Sequence, residues 1–237
     1  MKTSLSMNLA YHLAKRRHKV LLVDMDPQAS LTDFMGIEPA DLKETVANAI
    51  LEETPLSIHR DLHGIDLVPA NIILSAAEMQ LVSAMAREWR LKRALETVAE
   101  KYDFILIDSP PSLGILSVLS LVAATYVLVP IQTQYKCFKG TELLLDSIKQ
   151  VRKLVNQDLG IAGIVPTMYD GRNSQDKDIL EAIETQMKDI ATIYPPIPRA
   201  TAFADASMAH MPLALYNPKH PVLKVLKKIA AGLEKMS

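Results

Sequence analysis

The sequence predicts an α/β fold, a doubly wound and mostly parallel sheet flanked by helices. Three observations predict it. Val20-Leu21-Leu22-Val23 is an unbroken apolar run ending in Asp24 and Asp26, with Pro27 stopping it. Phe104-Ile105-Leu106-Ile107 repeats the pattern before Asp108, Ser109, Pro110 and Pro111. Unbroken runs of this length are strands buried on both faces, as in parallel sheets. Between and beyond them, segments of helical spacing alternate with short apolar runs along the whole chain, the order of βαβ units.

In chain order, Leu5, Met7, Leu9, Ala10, Leu13 and Ala14 recur at helical spacing, so residues 3–17 read as a helix. It closes on Lys15-Arg16-Arg17, cations suited to a helix C-terminus. A strand over 19–24 follows, then short helices over 28–35 and 41–51, and a strand over 65–69. Residues 72–101 read as one long helix, and 103–108 as the second acid-ended strand. Next come a helix over 113–124, a strand over 126–131, a helix over 141–155, a strand over 161–167 and a helix over 176–188. A strand over 190–194 is broken by Pro195-Pro196. A short helix over 202–209 and a terminal helix over 222–235 complete the chain. No linker, repeat or low-complexity tract divides it, so 1–237 reads as a single domain.

Composition narrows the function classes. Hydrophobic residues make up 49% and charged residues 22% of 237, which excludes disorder as the main state. The net charge of −1 gives no global basic field, so nucleic-acid binding requires a local patch. The single cysteine, Cys137, excludes an internal disulfide and an iron–sulfur cluster, and fits a reducing cytoplasm. Residues 113–131 carry no charge over a length that could span a bilayer. Gly114, Ser117, Ser120, Thr125 and Pro130 interrupt them, so they read as a buried helix and strand. The six histidines show no ligand spacing.

Carboxylates at the carboxyl ends of two parallel strands lie where open α/β sheets bind ligands. Asp24, Asp26 and Asp108 therefore suggest one site for a cation and a phosphate. The chain start, Met1-Lys2-Thr3-Ser4, sits at the N-terminus of the first helix. Lys2-Thr3 would be the last two positions of the phosphate-binding pattern G-x-x-x-x-G-K-[ST]. There a lysine meets phosphate charge, a hydroxyl ligates Mg²⁺, and the helix terminus adds partial positive charge.

Together these pieces resemble the ParA/MinD family of deviant-Walker P-loop ATPases, and the resemblance spans essentially the whole chain. Lys2-Thr3-Ser4 looks like the end of the family's K-G-G-x-G-K-T-[ST] loop. Val20 to Thr32 is similar to its V-L-L-I-D-x-D-P-Q-x-x-x-T box, and Tyr102 to Pro111 to its Y-D-x-I-x-I-D-x-P-P segment. Val129-Pro130-Ile131-Gln132, Ile197-Pro198-Arg199 and Leu215-Tyr216-Asn217-Pro218 resemble later landmarks. The chain departs from the family at its start. The strand, the glycines and the signature lysine that precede the loop lysine are absent, and Met1 stands at the last loop glycine. An N-terminal truncation through a misplaced start and a paralogue that has lost nucleotide binding both account for this. Either way the resemblance implies a sheet lacking its first strand, and weak ATP binding by the chain as written.

For the intact form the resemblance implies ATP and Mg²⁺ as cofactors. Lys2 is a catalytic and phosphate-binding residue, Thr3 a Mg²⁺ ligand, and Ser4 a neighbour of the nucleotide. Asp108 reaches the metal through water, Asp26 positions the attacking water, and Asp24 supports metal and nucleotide. Pro198, Arg199 and Met168, with Tyr169, lie where the family contacts adenine. Lys139, with Lys136 in the same predicted loop, is a candidate replacement for the signature lysine. The resemblance also implies an ATP-sandwiched homodimer and non-specific DNA binding by a cytoplasmic, nucleoid-associated protein. A ParB-like adaptor would stimulate it to partition a plasmid, chromosome or protein organelle. The DNA candidates are Lys149, Arg152, Lys153, Arg172, Arg199, Lys219, Lys224, Lys227 and Lys228. The alternatives are a nucleotide-binding-deficient regulatory partner and a MinD-like membrane ATPase. The second would use the stripe Val222, Leu223, Val225, Leu226, Ile229, Ala230 and Leu233, interleaved with lysines, at a membrane surface.

Overall fold

A computed structural model describes residues 1–236. The chain opens with helix α1 (Lys2–Ala14) and strand β1 (Val20–Asp24), every residue of which is buried. Helices α2 (Ser30–Phe34) and α3 (Val46–Glu52) follow, α3 opened by a capping box between Thr45 and Asn48. Strands β2 (His59–Leu62) and β3 (Ile65–Val68) form a hairpin, then come α4 (Ile73–Leu81), α5 (Arg90–Glu96) and β4 (Phe104–Asp108). Helix α6 (Ile115–Ala123) crosses to β5 (Tyr126–Gln132), followed by α7 (Tyr135–Leu154), β6 (Gly160–Tyr169) and α8 (Ser174–Met187). Strand β7 (Ile197–Pro198) and helices α9 (Ala202–Met208), α10 (Leu213–Tyr216) and α11 (Leu223–Leu233) end the chain.

The α/β class and the predominantly parallel pairing are as the sequence predicts, but the strands form two sheets rather than one. The first has the order β2-β3-β1-β4 and the second β5-β6-β7. All pairings are parallel except β2 with β3. The interruption falls between β4 and β5, in the middle of the array, where residues of both strands line one slot. Helices bridge it. On one face α1 packs against α11, in a core that joins Leu22 of β1 to Val165 of β6 and Ile197 of β7. On the other face α5 and α6 cover β1 and β4, with Leu91, Leu95, Leu116 and Leu119 packed among Leu21 and Val23.

Four expectations are corrected. Residues 72–101 are not one helix. Val82 and Met85, which prolong its apolar spacing, are 65% and 90% exposed, and the backbone turns left-handed at Ala86, φ 50°. A stripe that packs on nothing does not sustain a helix. Residues 190–194 make only an isolated bridge, Ile193 to Ile164, and pairing resumes beyond the two prolines at Ile197. Helix α7 begins at Tyr135 rather than Thr141, so Lys136 and Lys139 lie in its first turns and not in a loop. The hairpin strand β2 was missed. His63-Gly64, both at positive φ, is its two-residue turn.

The terminal helix is settled by packing. Leu223, Leu226, Ile229 and Ala230 are buried against α1, which leaves Lys224, Lys227 and Lys228 outward. Most of the stripe offered to a membrane surface is therefore covered, with Val225 and Leu233 partly buried beside it. Among the described residues, no helix is long and apolar enough to cross a membrane.

Candidate functional site

The site forms at the carboxyl ends of β1 and β4. These strands run in register with Asp24 opposite Asp108, and the Met25 amide donates to the Asp108 carbonyl at 2.9 Å. Asp108 is 2% exposed. Its Oδ1 accepts from the Ser6 hydroxyl at 3.0 Å, and the Thr3 hydroxyl also bonds to it. Burial holds the Asp108 carboxyl above its ordinary pKa, against the pull of those hydroxyls and of Lys2. A metal or a second cation beside it would relieve that desolvation.

Lys2 opens α1. Its ammonium donates to the Pro110 carbonyl at 2.8 Å, which brings the cation over the end of β4. Partial burial lowers its pKa, and Asp108 and Asp26 oppose this. No side chain caps the N-terminus of α1 and no acid stands in its first turn. Its free N–H groups and Lys2 together make a positive end that suits phosphate oxygens. Ser4 is half-buried, and its carbonyl accepts from the Asn8 side-chain Nδ2 at 2.7 Å.

The two aspartates of Asp24-Met25-Asp26-Pro27-Gln28 do different work. Asp24 is fully buried. One oxygen accepts from the Asp26 amide at 3.1 Å, and the other from the Thr32 amide and hydroxyl at 2.9 and 2.8 Å. Burial is the larger effect and pushes its carboxyl up to about 7 despite those three donors. Asp24, read from the sequence as a metal and nucleotide residue, thus has both oxygens committed to holding the following turn. Asp26 is half-exposed, its Oδ1 accepting from the Gln28 amide at 3.0 Å in a tight turn. It keeps an oxygen for a ligand.

The adenine candidates lie on the second sheet. Pro198 pairs with Tyr169, and the Arg199 amide donates to the Tyr169 carbonyl at 3.0 Å. Met168 adopts φ 59° beside them, so Met168, Tyr169, Pro198 and Arg199 form one cluster at the carboxyl end of β6. Asp170 next to it is held down to about 2 by the Arg172 guanidinium and amide, with Arg199 adding to the effect. Lys139 is exposed, with its Nζ 5.3 Å from the Tyr135 ring centroid.

Two contributors escaped the sequence reading. Ser6 follows Lys2 by one helical turn, and that i, i+4 spacing was the available signal. Thr32 was read as part of a box without a role, yet its hydroxyl both donates to Asp24 and accepts from the buried Ala70 amide at 2.9 Å. Among the described residues, no group of three or more His, Cys, Asp or Glu side chains could hold a metal ion. That fits Mg²⁺, which usually takes one or two protein ligands together with substrate phosphates and waters. Lys2, Thr3 and Asp108 fit a magnesium–nucleotide pair. Of a phosphate-binding loop, residues 1–237 supply the lysine, the hydroxyl and the helix start.

Residues 1–161 match the family model described as an AAA domain. The chain is 37% identical to the sporulation initiation inhibitor protein Soj of Bacillus subtilis, over 98% of this chain and 94% of that protein. It is 35% identical to the chromosome partitioning protein ParA of Myxococcus xanthus, over 92% and 78%. In structure it resembles cobyrinic acid a,c-diamide synthase from Mycobacterium smegmatis, crystallised with an ATP analogue and magnesium. The TM-score is 0.86 at 32% identity, over 99% of this chain and 89% of that one. The chain belongs to the ParA/MinD family of P-loop ATPases.

Proposed function

We propose that this chain is the body of a ParA-type partition ATPase, which uses Mg-ATP-dependent dimerisation and non-specific DNA binding to segregate or position a cargo. The observation that carries the reading is the convergence of the Lys2 ammonium, the Thr3 and Ser6 hydroxyls and the buried Asp108 at the uncapped start of α1. Bound Mg-ATP supplies the transferable phosphoryl group and a Lewis acid. Lys2 would neutralise phosphate charge, and Thr3 would offer its hydroxyl to the metal. Asp108, its Oδ1 held by the Ser6 hydroxyl, would hold a water of the magnesium. Asp26 orients the water that attacks, and Asp24 positions Asp26 by gripping the turn between them. Pro198, Arg199 and Met168 form the wall for the base.

Partition is supported by the relative named as a chromosome partitioning protein. For DNA the best-placed cations are Lys149, Arg152 and Lys153. All three are exposed on α7 and line a shallow surface pocket with Gln157. A ParB-like adaptor and a cytoplasmic, nucleoid-associated location complete the proposal. The test is fluorescence anisotropy of labelled duplex DNA with and without Mg-ATP, across a salt series, with a form of the chain that carries a glycine-rich loop ahead of Met1. Nucleotide-dependent binding that weakens steeply with salt is expected. Nucleotide binding with salt-insensitive or absent DNA binding would overturn the partition reading, and loss of nucleotide binding as well would favour a regulatory partner.

A further inference from the structure

Asp176 stands in the first turn of α8, just after the loop that follows β6, and is 4% exposed. Its carboxylate takes three bonds. Oδ2 accepts from the Thr133 hydroxyl at 2.9 Å and from the Asp170 amide at 2.8 Å, and Oδ1 from the Asn173 side-chain amide at 2.9 Å. We propose that Asp176, acting with Thr133, is a positioning residue for base recognition: it ties the loop after β6 to the end of β5 and so sets Met168, Tyr169, Pro198 and Arg199 for a purine. This rests on the reading of that cluster as the wall for the base.

A first-turn acid normally serves its own helix. Here that duty falls to Asn173, whose side chain accepts from the Gln175 amide at 3.0 Å. Asp176 reaches instead six residues back to Asp170 and 43 residues back to Thr133. Thr133 follows the last residue of β5 and is fully buried. Its amide donates to the Thr167 carbonyl at 3.0 Å. Thr133 therefore holds β6 by its backbone and α8 by its hydroxyl.

The segment between these ties is the one that carries the base wall. Met168 has φ 59°, a left-handed conformation that is unfavourable for a residue with a side chain and persists where its surroundings impose it. It is pinned on both sides. The Thr133 amide holds the Thr167 carbonyl before it, and the Arg199 amide holds the Tyr169 carbonyl after it. Asp170 comes next. Its side chain is taken up by Arg172, and its amide is fixed by Asp176. A buried carboxylate is costly unless donors surround it, and a satisfied buried network is rigid. Base recognition thus depends on Asp176, whereas Lys2 and Asp108, held by β4 and α1, do not.

The test rests on Asp176→Asn, which keeps the shape and replaces one acceptor oxygen with a donor. Residue-resolved hydrogen exchange of the 237-residue chain comes first. The Asp170 and Arg199 amides are expected to exchange about tenfold faster or more, while the Met25 amide, bonded to Asp108, is unchanged. Faster exchange confined to α8 would make Asp176 a cap and overturn the inference. Calorimetric binding of Mg-ATP, Mg-GTP and magnesium tripolyphosphate follows, with a form carrying a glycine-rich loop ahead of Met1. Asp176→Asn is expected to weaken ATP about tenfold or more, to abolish its preference over GTP, and to leave tripolyphosphate within about twofold. Thr133→Val gives the same shift from the other end of the bond, and Thr133→Ser, which keeps the hydroxyl, restores the parent values. That pair decides the matter should Asp176→Asn fail to fold. Equal weakening of ATP and tripolyphosphate, or an ATP preference that survives Asp176→Asn or Thr133→Val, overturns the inference alone. A parent form without preference for ATP over GTP overturns the base-wall reading, and the inference with it.

Discussion

Thr32 is the side chain whose loss tests the turn most cleanly. It is fully buried. Its hydroxyl donates to Asp24 at 2.8 Å and accepts from the Ala70 amide at 2.9 Å. Thr32→Val keeps the shape and removes both bonds. Losing a hydrogen bond to a charged group costs about 1.5–3 kcal/mol, and stranding a buried amide costs about 1–3 kcal/mol. The expected destabilisation at alkaline pH is therefore about 3–5 kcal/mol. Its pH dependence carries the mechanism. Burial pushes the Asp24 carboxyl up to about 7 in the fold, well above the ordinary range of an aspartate. The folded state thus holds this proton more tightly, and the Asp24 contribution to stability is full below about 4 and lost as pH rises through 7. Valine removes the foremost donor to the carboxylate and raises that pKa further, so the gap between the two proteins widens from pH 6 to pH 8.5. His12, lowered to about 4 by burial, adds stability as pH rises from about 4 to about 6.5. It does so equally in both proteins and cancels in the difference. Urea unfolding followed by the single tryptophan, Trp89, at pH 5.5 and 8.5 measures the gap. A loss below about 1 kcal/mol, or an equal loss at both pH values, would refute the assigned role of Thr32.

Three further outcomes follow from the same structure. Leu226→Ala, fully buried between α11 and α1, is expected to cost about 2–5 kcal/mol in urea unfolding, because helix packing there bridges the two sheets. Asp26→Ala is expected to leave nucleotide binding intact while slowing turnover by about 10²-fold or more, and a parallel loss of both would remove its water-positioning role. Charge reversal at Lys153 is expected to weaken DNA binding across sequences and to reduce the salt slope by about one per lost phosphate contact, while an unchanged slope would place DNA elsewhere.

What the sequence made legible, and what it hid, follows from the range of the interactions. Strands β1 and β4 and their terminal acids were readable because an unbroken apolar run and a following aspartate are local signals. Their register, which sets Asp24 opposite Asp108, follows once the two strands are neighbours. The distinct duties of Asp24 and Asp26 were not readable. Which of two carboxylates turns inward depends on Thr32 and Ala70, brought together only by the fold. The broken helix after residue 81 was hidden because apolar spacing cannot distinguish a stripe that packs from one left exposed, as at Met79, Val82 and Met85. The terminal helix shows the converse. Its amphipathic pattern admits a membrane or a core, and its contact with α1 decides for the core.

The central claim is that Lys2, Thr3 and Asp108 are the phosphate and metal half of a nucleotide site. Calorimetric titration of Mg-ATP into the 237-residue chain, into a form carrying a glycine-rich loop ahead of Met1, and into that form with Lys2→Ala tests it most directly. The account predicts weak binding by the first, clear binding by the second, and its loss in the third. No binding by the glycine-loop form, or binding unaffected by Lys2→Ala, would contradict the assignment.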